Sequence, residues 1–450
     1  MRRVPTDESG RELVPPPVRP QLNRRVIGDK VVPLVTQVRS YELITPLFGG
    51  GVEPGEADPV TVIRGSEIRG QLRFWWRACR GGYFNGDLAK MKEAEDRLWG
   101  AASTEKKPMP SQVEVVVSIE QRGKDEYPFE VVTGSREGRT GKTRLRANEN
   151  VAPPYAAFPL QPSREEMRAG GTAIKTKTVR TGVRFALKIT YSEDQRDEVE
   201  AALWAWETFG GIGARTRRGF GALKLVSIDG RPVTPPKAHE VEAKIREGLK
   251  KHVVSGIWPE GVPHLSQNPR MKVTGKLEKP KDAWDYLIRC LRKFRQYRNA
   301  GASSKQPGRS RWPEPDEIRR LTGLRCDRHA KPISLVSKFP RAAFGLPIVF
   351  HFKDEEFGDP YDTILKGRDY ERLASSLILR PLACAEGAVG LAVILEGTGI
   401  TALRGGLILE KKGNQDVGWP VKAELEPQEV QQIPPLNGNP DVLQAFLDTL

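Results

Sequence analysis

The apolar residues of this chain recur with two periods, and the order in which those periods alternate predicts a fold. From Val35 the run VTQVRSYELITPLFGGG alternates as a strand does and then breaks in glycines, and Val60 to Ile63 reads as a short second strand. The period then changes: Ile68, Leu72, Trp75 and Cys79 share one narrow face of a helix that starts at Glu67, with Ser66 placed to cap it. Gln112 to Gln121 and Thr178 to Tyr191 return to strand alternation. Ser192 to Phe209 is the clearest helix, opened by a Ser192/Gln195 capping box and acidic first-turn residues, and carrying Val199, Leu203 and Trp206 at helical spacing. Ala222 to Ile228 closes as a strand. Strand, helix, strands, helix, strand is the βαββαβ order of a ferredoxin-like domain.

The second half repeats the mixture less cleanly. A Pro-rich joint, Arg231 to Pro236, leads to a helix-rich stretch ending near Asn299 and a Gly/Ser/Lys loop running to Trp312. Strands are expected at Leu346 to Phe352, Ser376 to Ala383, Val389 to Leu395 and Leu407 to Glu410, and a last helix at Asp441 to Leu450. The expected class is α+β, with two related ferredoxin-like modules and helical insertions. The boundaries are a flexible Pro-rich tail at 1–33, a first module at 34–235, a helical linker with a basic loop at 236–310, and a second module at 311–450. Gly134 to Pro162, rich in Arg, Gly and Pro, has no periodicity and is expected to be a long loop.

Composition narrows the function classes. No apolar run approaches the roughly 20 residues of a membrane span, since Ala388 to Leu395 is interrupted by Gly390. The N-terminus lacks an apolar signal core, and four single cysteines (Cys79, Cys290, Cys326, Cys384) fit a reducing compartment, so a cytoplasmic protein is expected. Cys326-x-x-His329 is a metal-like fragment without a second close pair, so neither a metal nor any other cofactor is expected. The formal net charge of +15 draws polyanions.

The basic residues are concentrated in three patches. Arg64 opens the first helix, and Arg69, Arg73, Arg77 and Arg80 form a stripe along it with Trp76 beside them. Like charges four residues apart repel, so the stripe needs either a phosphate backbone or acidic neighbours in the fold. In GGIGARTRRGFG, Gly210 to Gly221, five glycines surround Arg215, Arg217 and Arg218, and no acidic residue occurs between Thr208 and Ile228. Such a loop can bring backbone amides and guanidinium groups to an anion. It is not a dinucleotide fingerprint, because Thr216 stands where the third glycine belongs. From Arg289 to Arg311 eight basic residues (Arg289, Arg292, Lys293, Arg295, Arg298, Lys305, Arg309, Arg311) occur without an acidic one. Phe294 and Trp284 there belong to a helix core, while Tyr297 and Trp312 are candidates for base stacking. Gly141-Lys142-Thr143 lacks the glycine a P-loop needs at position 136, which is Arg136. All five histidines follow residue 238, so the better-patterned first half has none for metal-free RNA cleavage.

TPLFGGG (Thr45 to Gly51), RGSEIRGQLRFWWRA (Arg64 to Ala78) and the glycine-rich loop together resemble the RAMP superfamily, and more narrowly the first Cmr subunit of type III-B CRISPR complexes. SRWPEPDEIRRLTG (Ser310 to Gly323), FPRAAFGLPIVFHF (Phe339 to Phe352) and SLILRPL (Ser376 to Leu382) look like that subunit's second half. The resemblance implies tandem ferredoxin-like (RRM-like) domains and a non-catalytic, RNA-binding role in antiviral defence, near the guide RNA's 3′ end. Partners would be guide RNA, target single-stranded RNA and other RAMP subunits of the complex, with no membrane. It assigns RNA contact to Arg69, Arg73, Arg77, Arg215, Arg217 and Arg218. A metal-independent RAMP endoribonuclease that matures guide RNA is the alternative.

Overall fold

The structure is a computed structural model that describes residues 24–27, 30–51, 55–102, 109–136, 139–169, 174, 177–301, 308–399 and 405–450. Of the tail expected at 1–33, residues 1–23, 28 and 29 lie outside the described residues, as does Lys305, while Arg24–Ile27 and residues 30–33 pair as antiparallel strands rather than a flexible tail. The N-terminal half contains strands β1 (Arg24–Ile27), β2 (Lys30–Leu43), β3 (Glu114–Glu126), β4 (Phe129–Arg136), β5 (Arg139–Ala147), β6 (Val179–Ser192), β7 (Leu223–Ile228) and β8 (Arg231–Pro232). Its helices are α1 (Gly65–Arg80), α2 (Leu88–Trp99), the short α3 (Pro154–Ala157) and α4 (Arg164–Ala169), and α5 (Arg196–Phe209).

The main sheet runs β3-β6-β2-β7, every neighbour antiparallel, with α1 crossing from β2 to β3 and α5 from β6 to β7. That order, second-third-first-fourth, is the ferredoxin-like arrangement read from the sequence. The two-residue period of β6 does the work: Val183, Phe185, Leu187, Ile189 and Tyr191 are fully buried on one face. They meet Ile68, Leu72, Trp75 and Cys79 of α1 and Val199, Leu203 and Trp206 of α5 in one core.

Two local expectations differ. Val60 to Ile63 is a turn closed by a single Asp58–Val62 bridge, and α1 starts at Gly65 with Arg64, not Ser66, at its cap position. Much of the expected loop from Gly134 is the β4–β5 hairpin, extended by α3. Its strands carry glycine, hydroxyl and charged residues at most positions, so no apolar alternation marks them.

The C-terminal half adds α6 (Val241–His252), β9 (Met271–Val273), α7 (Pro280–Arg295), α8 (Glu314–Thr322), β10 (Ile348–Phe350), β11 (Thr363–Gly367), β12 (Leu377–Ala383), β13 (Ala388–Ile394), β14 (Leu407–Lys411), β15 (Asn414–Val421), α9 (Pro427–Val430) and α10 (Val442–Leu447). β12-β13-β9 form an antiparallel sheet covered by α7. β9, α7, β12 and β13 thus repeat the first three strands and first helix of the ferredoxin-like order, and among the described residues no fourth strand joins this sheet. The region expected as a linker therefore supplies the first strand and helix of this module. β9 is only three residues long, too short for alternation to show. The predicted strands around Leu346 and Leu407 belong instead to a separate antiparallel sheet, β10-β11-β14-β15.

β13 is buried along its whole length because both its faces are covered. Val389, Leu391 and Val393 pack into the core of α1 and α5, while Ala392 and Ile394 pack with Trp284, Leu287 and Leu291 of α7. Arg380 on β12 is fully buried and ties the two modules together. Its guanidinium donates to the carbonyls of Trp206 (3.2 Å), Gly210 (2.6 Å) and Leu223 (2.8 Å), capping the C-terminus of α5 where carbonyls lack helical partners. No helix among the described residues is long and apolar enough to cross a membrane.

Candidate nucleic-acid interface

The arginine stripe on α1 meets acidic neighbours inside the fold. Arg73 Nε lies 2.7 Å from Glu95 Oε1, its Nη2 3.0 Å from Asp96 Oδ1, and its Nη1 donates to the Gly100 carbonyl. Arg77 reaches Glu95 Oε2 at 2.7 Å. Arg80 donates twice to Glu198 Oε1, at 2.9 and 2.6 Å, and the buried Trp76 donates to the other oxygen of that carboxylate at 2.6 Å. Arg64 donates to the carbonyls of Gly50 and Gly51. Of the two ways to relieve the i,i+4 repulsion, the structure supplies carboxylates to Arg73, Arg77 and Arg80. Arg69 differs: no carboxylate among the described residues pairs with it, and its Nε is buried without an acceptor.

The glycine-rich loop is built for close packing of the chain on itself. Gly213 has a positive φ and lies so close to Phe48 that a Cβ would come within 2.4 Å of its carbonyl oxygen. Gly219, also at positive φ, sits against the Trp284 indole, whose Nε1 donates to the Arg218 carbonyl at 2.6 Å. The loop is thereby clamped between the first module and α7. The sequence reading assigned the glycines to an approaching anion, whereas here they admit Phe48 and Trp284.

What this clamping presents is a group of arginines. Arg215 holds a left-handed conformation at φ 58°, and Arg217 and Arg218 follow in a single 3-10 turn. Arg217 donates to the Ser375 carbonyl at 2.5 Å, with its guanidinium 5.5 Å from the Phe74 ring. Arg218 donates to the Leu377 carbonyl at 2.7 Å. Arg295, from the end of α7, donates to the Tyr155 hydroxyl at 3.1 Å and lies over the Phe344 ring. Burial, then the charges of Arg295 and Arg215, push Arg218 down to about 9. Burial and Arg295 lower Arg215 as well, and burial lowers Arg217. No carboxylate among the described residues pairs with Arg215, Arg217, Arg218 or Arg295, and Nε of both Arg215 and Arg295 is buried without an acceptor. Crowded, partly desolvated guanidinium groups with unused donors form a site for an anion with several oxygens.

The third basic patch divides. Arg295 joins the group above. Arg309 pairs with Asp316 at 2.5 Å, Arg298 donates to the Gly308 carbonyl, and Arg311 has no ion pair among the described residues. Trp312, expected as a stacking platform, is 1% exposed and donates to the Phe294 carbonyl, so it belongs to the core. Tyr297 remains 41% exposed. Tyr155 and Phe344 were not singled out by sequence. Tyr155 lies in the segment read as a loop, and nothing in its local pattern places it beside Arg295.

Glu67, the third residue of α1, accepts from the Gly213 amide at 2.5 Å and lies against Gly50, joining two of the glycine-rich segments. Burial raises its carboxyl to about 7, against the opposing effects of the Gly213 amide and Arg64. The folded protein therefore keeps a proton that the unfolded chain releases near the ordinary glutamate value of 4.5. That contribution to stability is present below the unfolded value and is lost as pH rises through about 7. Glu67→Gln is expected to flatten the pH dependence of the urea midpoint across this window. An unchanged slope would place the proton elsewhere.

Residues 40–224 match the RAMP superfamily. The chain is similar to the CRISPR system Cmr subunit Cmr1-2 of Pyrococcus furiosus, 29% identical over 187 residues, 41% of this chain and 91% of that protein. It is also similar to Cmr1-1 of the same organism, 26% identical over 165 residues, 36% of this chain and 40% of that protein. Among solved structures, apo Cmr1 from Pyrococcus furiosus aligns at 16% identity with a TM-score of 0.44, covering 80% of this chain and 88% of that one. A chain of the type III-B Cmr-beta complex bound to cognate target RNA aligns at 13% identity with a TM-score of 0.47, covering 92% and 99%.

Proposed function

We propose that this chain is a RAMP-superfamily protein and a non-catalytic RNA-binding subunit of a type III-B CRISPR effector complex, acting in the cytoplasm. It contacts guide RNA and single-stranded target RNA near the guide's 3′ end, packs on other RAMP subunits, and helps capture target RNA that other subunits cut. The observation that carries the RNA reading is the carboxylate-free group of Arg215, Arg217, Arg218 and Arg295 with its unused buried donors. Guanidinium groups so placed recognise phosphate irrespective of base, leaving sequence to guide–target pairing. Arg69 and Arg311 extend the available charge, and Tyr297 offers a ring for stacking.

The histidines support a role in binding. His252 stacks on Trp204 and His264 on Trp258, His351 pairs with Asp362, His239 lies beside Glu240, and His329 belongs to a separate cluster. Among the described residues, none hydrogen-bonds or pairs with the arginine group.

The test is reconstitution of a type III-B complex with and without this chain, followed on denaturing gels. Omission is expected to weaken target-RNA capture about tenfold or more while cleavage positions stay unchanged, and the isolated chain with chelator is expected to leave labelled RNA intact. Discrete products from the isolated chain would instead support the endoribonuclease reading.

A further inference from the structure

Away from the arginine group, two loops bring four potential metal ligands together. Cys326 and His329 flank one 3-10 turn beyond α8, and Asp354 and Asp359 flank another. One ligand atom from each of the four lies within 4.8 Å of all the others. The sequence shows only the Cys-x-x-His fragment; the fold supplies the second pair.

Hydrogen bonding alone leaves this cluster poorly satisfied. His329 Nδ1 has Asp359 Oδ2 at 2.7 Å, Cys326 Sγ at 3.1 Å and Arg319 Nη2 at 3.0 Å. A protonated Nδ1 suits Asp359 but faces a guanidinium N–H head-on. A bare Nδ1 suits Arg319 but faces a carboxylate oxygen. One ring nitrogen cannot serve three such neighbours. Nor is this a nucleophile–base–carboxylate relay, which needs the thiol and the carboxylate on opposite ring nitrogens.

A cation at the centre resolves the conflict. A thiolate, an imidazole and two carboxylates form a donor set suited to tetrahedral zinc, whose bonds of about 2.0–2.3 Å set ligands roughly 3.3–3.8 Å apart. The observed spacings, from 2.7 Å to at most 4.8 Å, bracket that range. Cys326 and Asp359 are each 3% exposed, which gives the site a dry floor. Arg319 holds both oxygens of Asp359, at 3.0 and 2.8 Å, and Arg328 holds Asp354 Oδ1 at 2.6 Å. These guanidinium groups orient the two carboxylates and offset the charge of three anionic ligands around a divalent ion.

We propose that Cys326, His329, Asp354 and Asp359 bind one Zn²⁺ ion, which fastens the loop after α8 to the loop between β10 and β11. The proposal stands independently of RNA binding.

The test uses the full chain, purified without a histidine tag, stripped with chelator and reloaded with Zn²⁺ or Co²⁺. Elemental analysis is expected to find about one zinc per chain after dialysis, and Co²⁺ is expected to give a thiolate-to-metal charge-transfer band. Cys326→Ser is expected to abolish that band, and Asp354→Asn to weaken zinc retention at least tenfold with an unchanged circular dichroism spectrum. A folded wild-type chain that retains no zinc, or shows no charge-transfer band with Co²⁺, would overturn the proposal. So would a Cys326→Ser chain that keeps its metal. If Cys326→Ser does not fold, the wild-type cobalt spectrum and Asp354→Asn decide.

Discussion

Glu95→Ala is expected to destabilise the protein by about 3 kcal/mol, read from the midpoint of urea unfolding. Glu95 is 2% exposed and receives Arg73 on one oxygen and Arg77 on the other. Removing it leaves two guanidinium groups one helical turn apart, with only Asp96 and the Gly100 carbonyl for Arg73. The figure is set at the lower end of the range for broken buried pairs because Arg73 and Arg77 are 24% and 30% exposed and keep some water. The same variant leaves both arginines charged, so RNA affinity of the folded fraction is expected to hold or rise. Unchanged stability with a marked rise in affinity would mean that the stripe's partner is RNA, not α2.

Replacing Arg215 and Arg295 together should have the opposite profile. Arg215→Asn keeps a residue that tolerates the left-handed conformation, and Arg295→Gln keeps a donor near Tyr155. Each substitution removes a buried charge that repels Arg218, so stability should hold or improve. Each also removes a charge-assisted contact worth about 1.5–3 kcal/mol. Affinity for single-stranded RNA is expected to fall by about 100-fold or more, alike for unrelated sequences, by fluorescence anisotropy at fixed salt. A loss confined to particular sequences would contradict phosphate recognition.

The first module was legible because its strands are long and half-buried. Val183 to Tyr191 alternate without a break, and α1 and α5 each carry a clean apolar stripe. The β4–β5 hairpin and β15 carry glycine, proline, hydroxyl and charged residues at many positions, which blurs their apolar alternation. β9 was hidden by its length, and its partner β13 pairs across more than a hundred residues, a separation that local periodicity does not encode.

At the candidate site, sequence located the arginines but not their counter-charges. Glu95 and Glu198 come from other helices, and nothing near Arg73 or Arg80 in the chain announces them. The glycine-rich loop was found by composition, yet its glycines answer to Phe48 and Trp284, contacts made only in the folded chain. Arg295 was one basic residue among eight until α7 placed it beside Arg215, Arg218 and Tyr155.

The central claim is that RNA lies across the junction of the glycine-rich loop and α7. Ultraviolet crosslinking of the chain to thiouridine-substituted single-stranded RNA, with the attached peptides identified by mass spectrometry, tests it directly. The account predicts crosslinks at Tyr155, in the Gly213–Gly219 loop and at Tyr297. Crosslinks confined to α2 and the adjoining face of α1, with the loop and α7 unmarked, would contradict it.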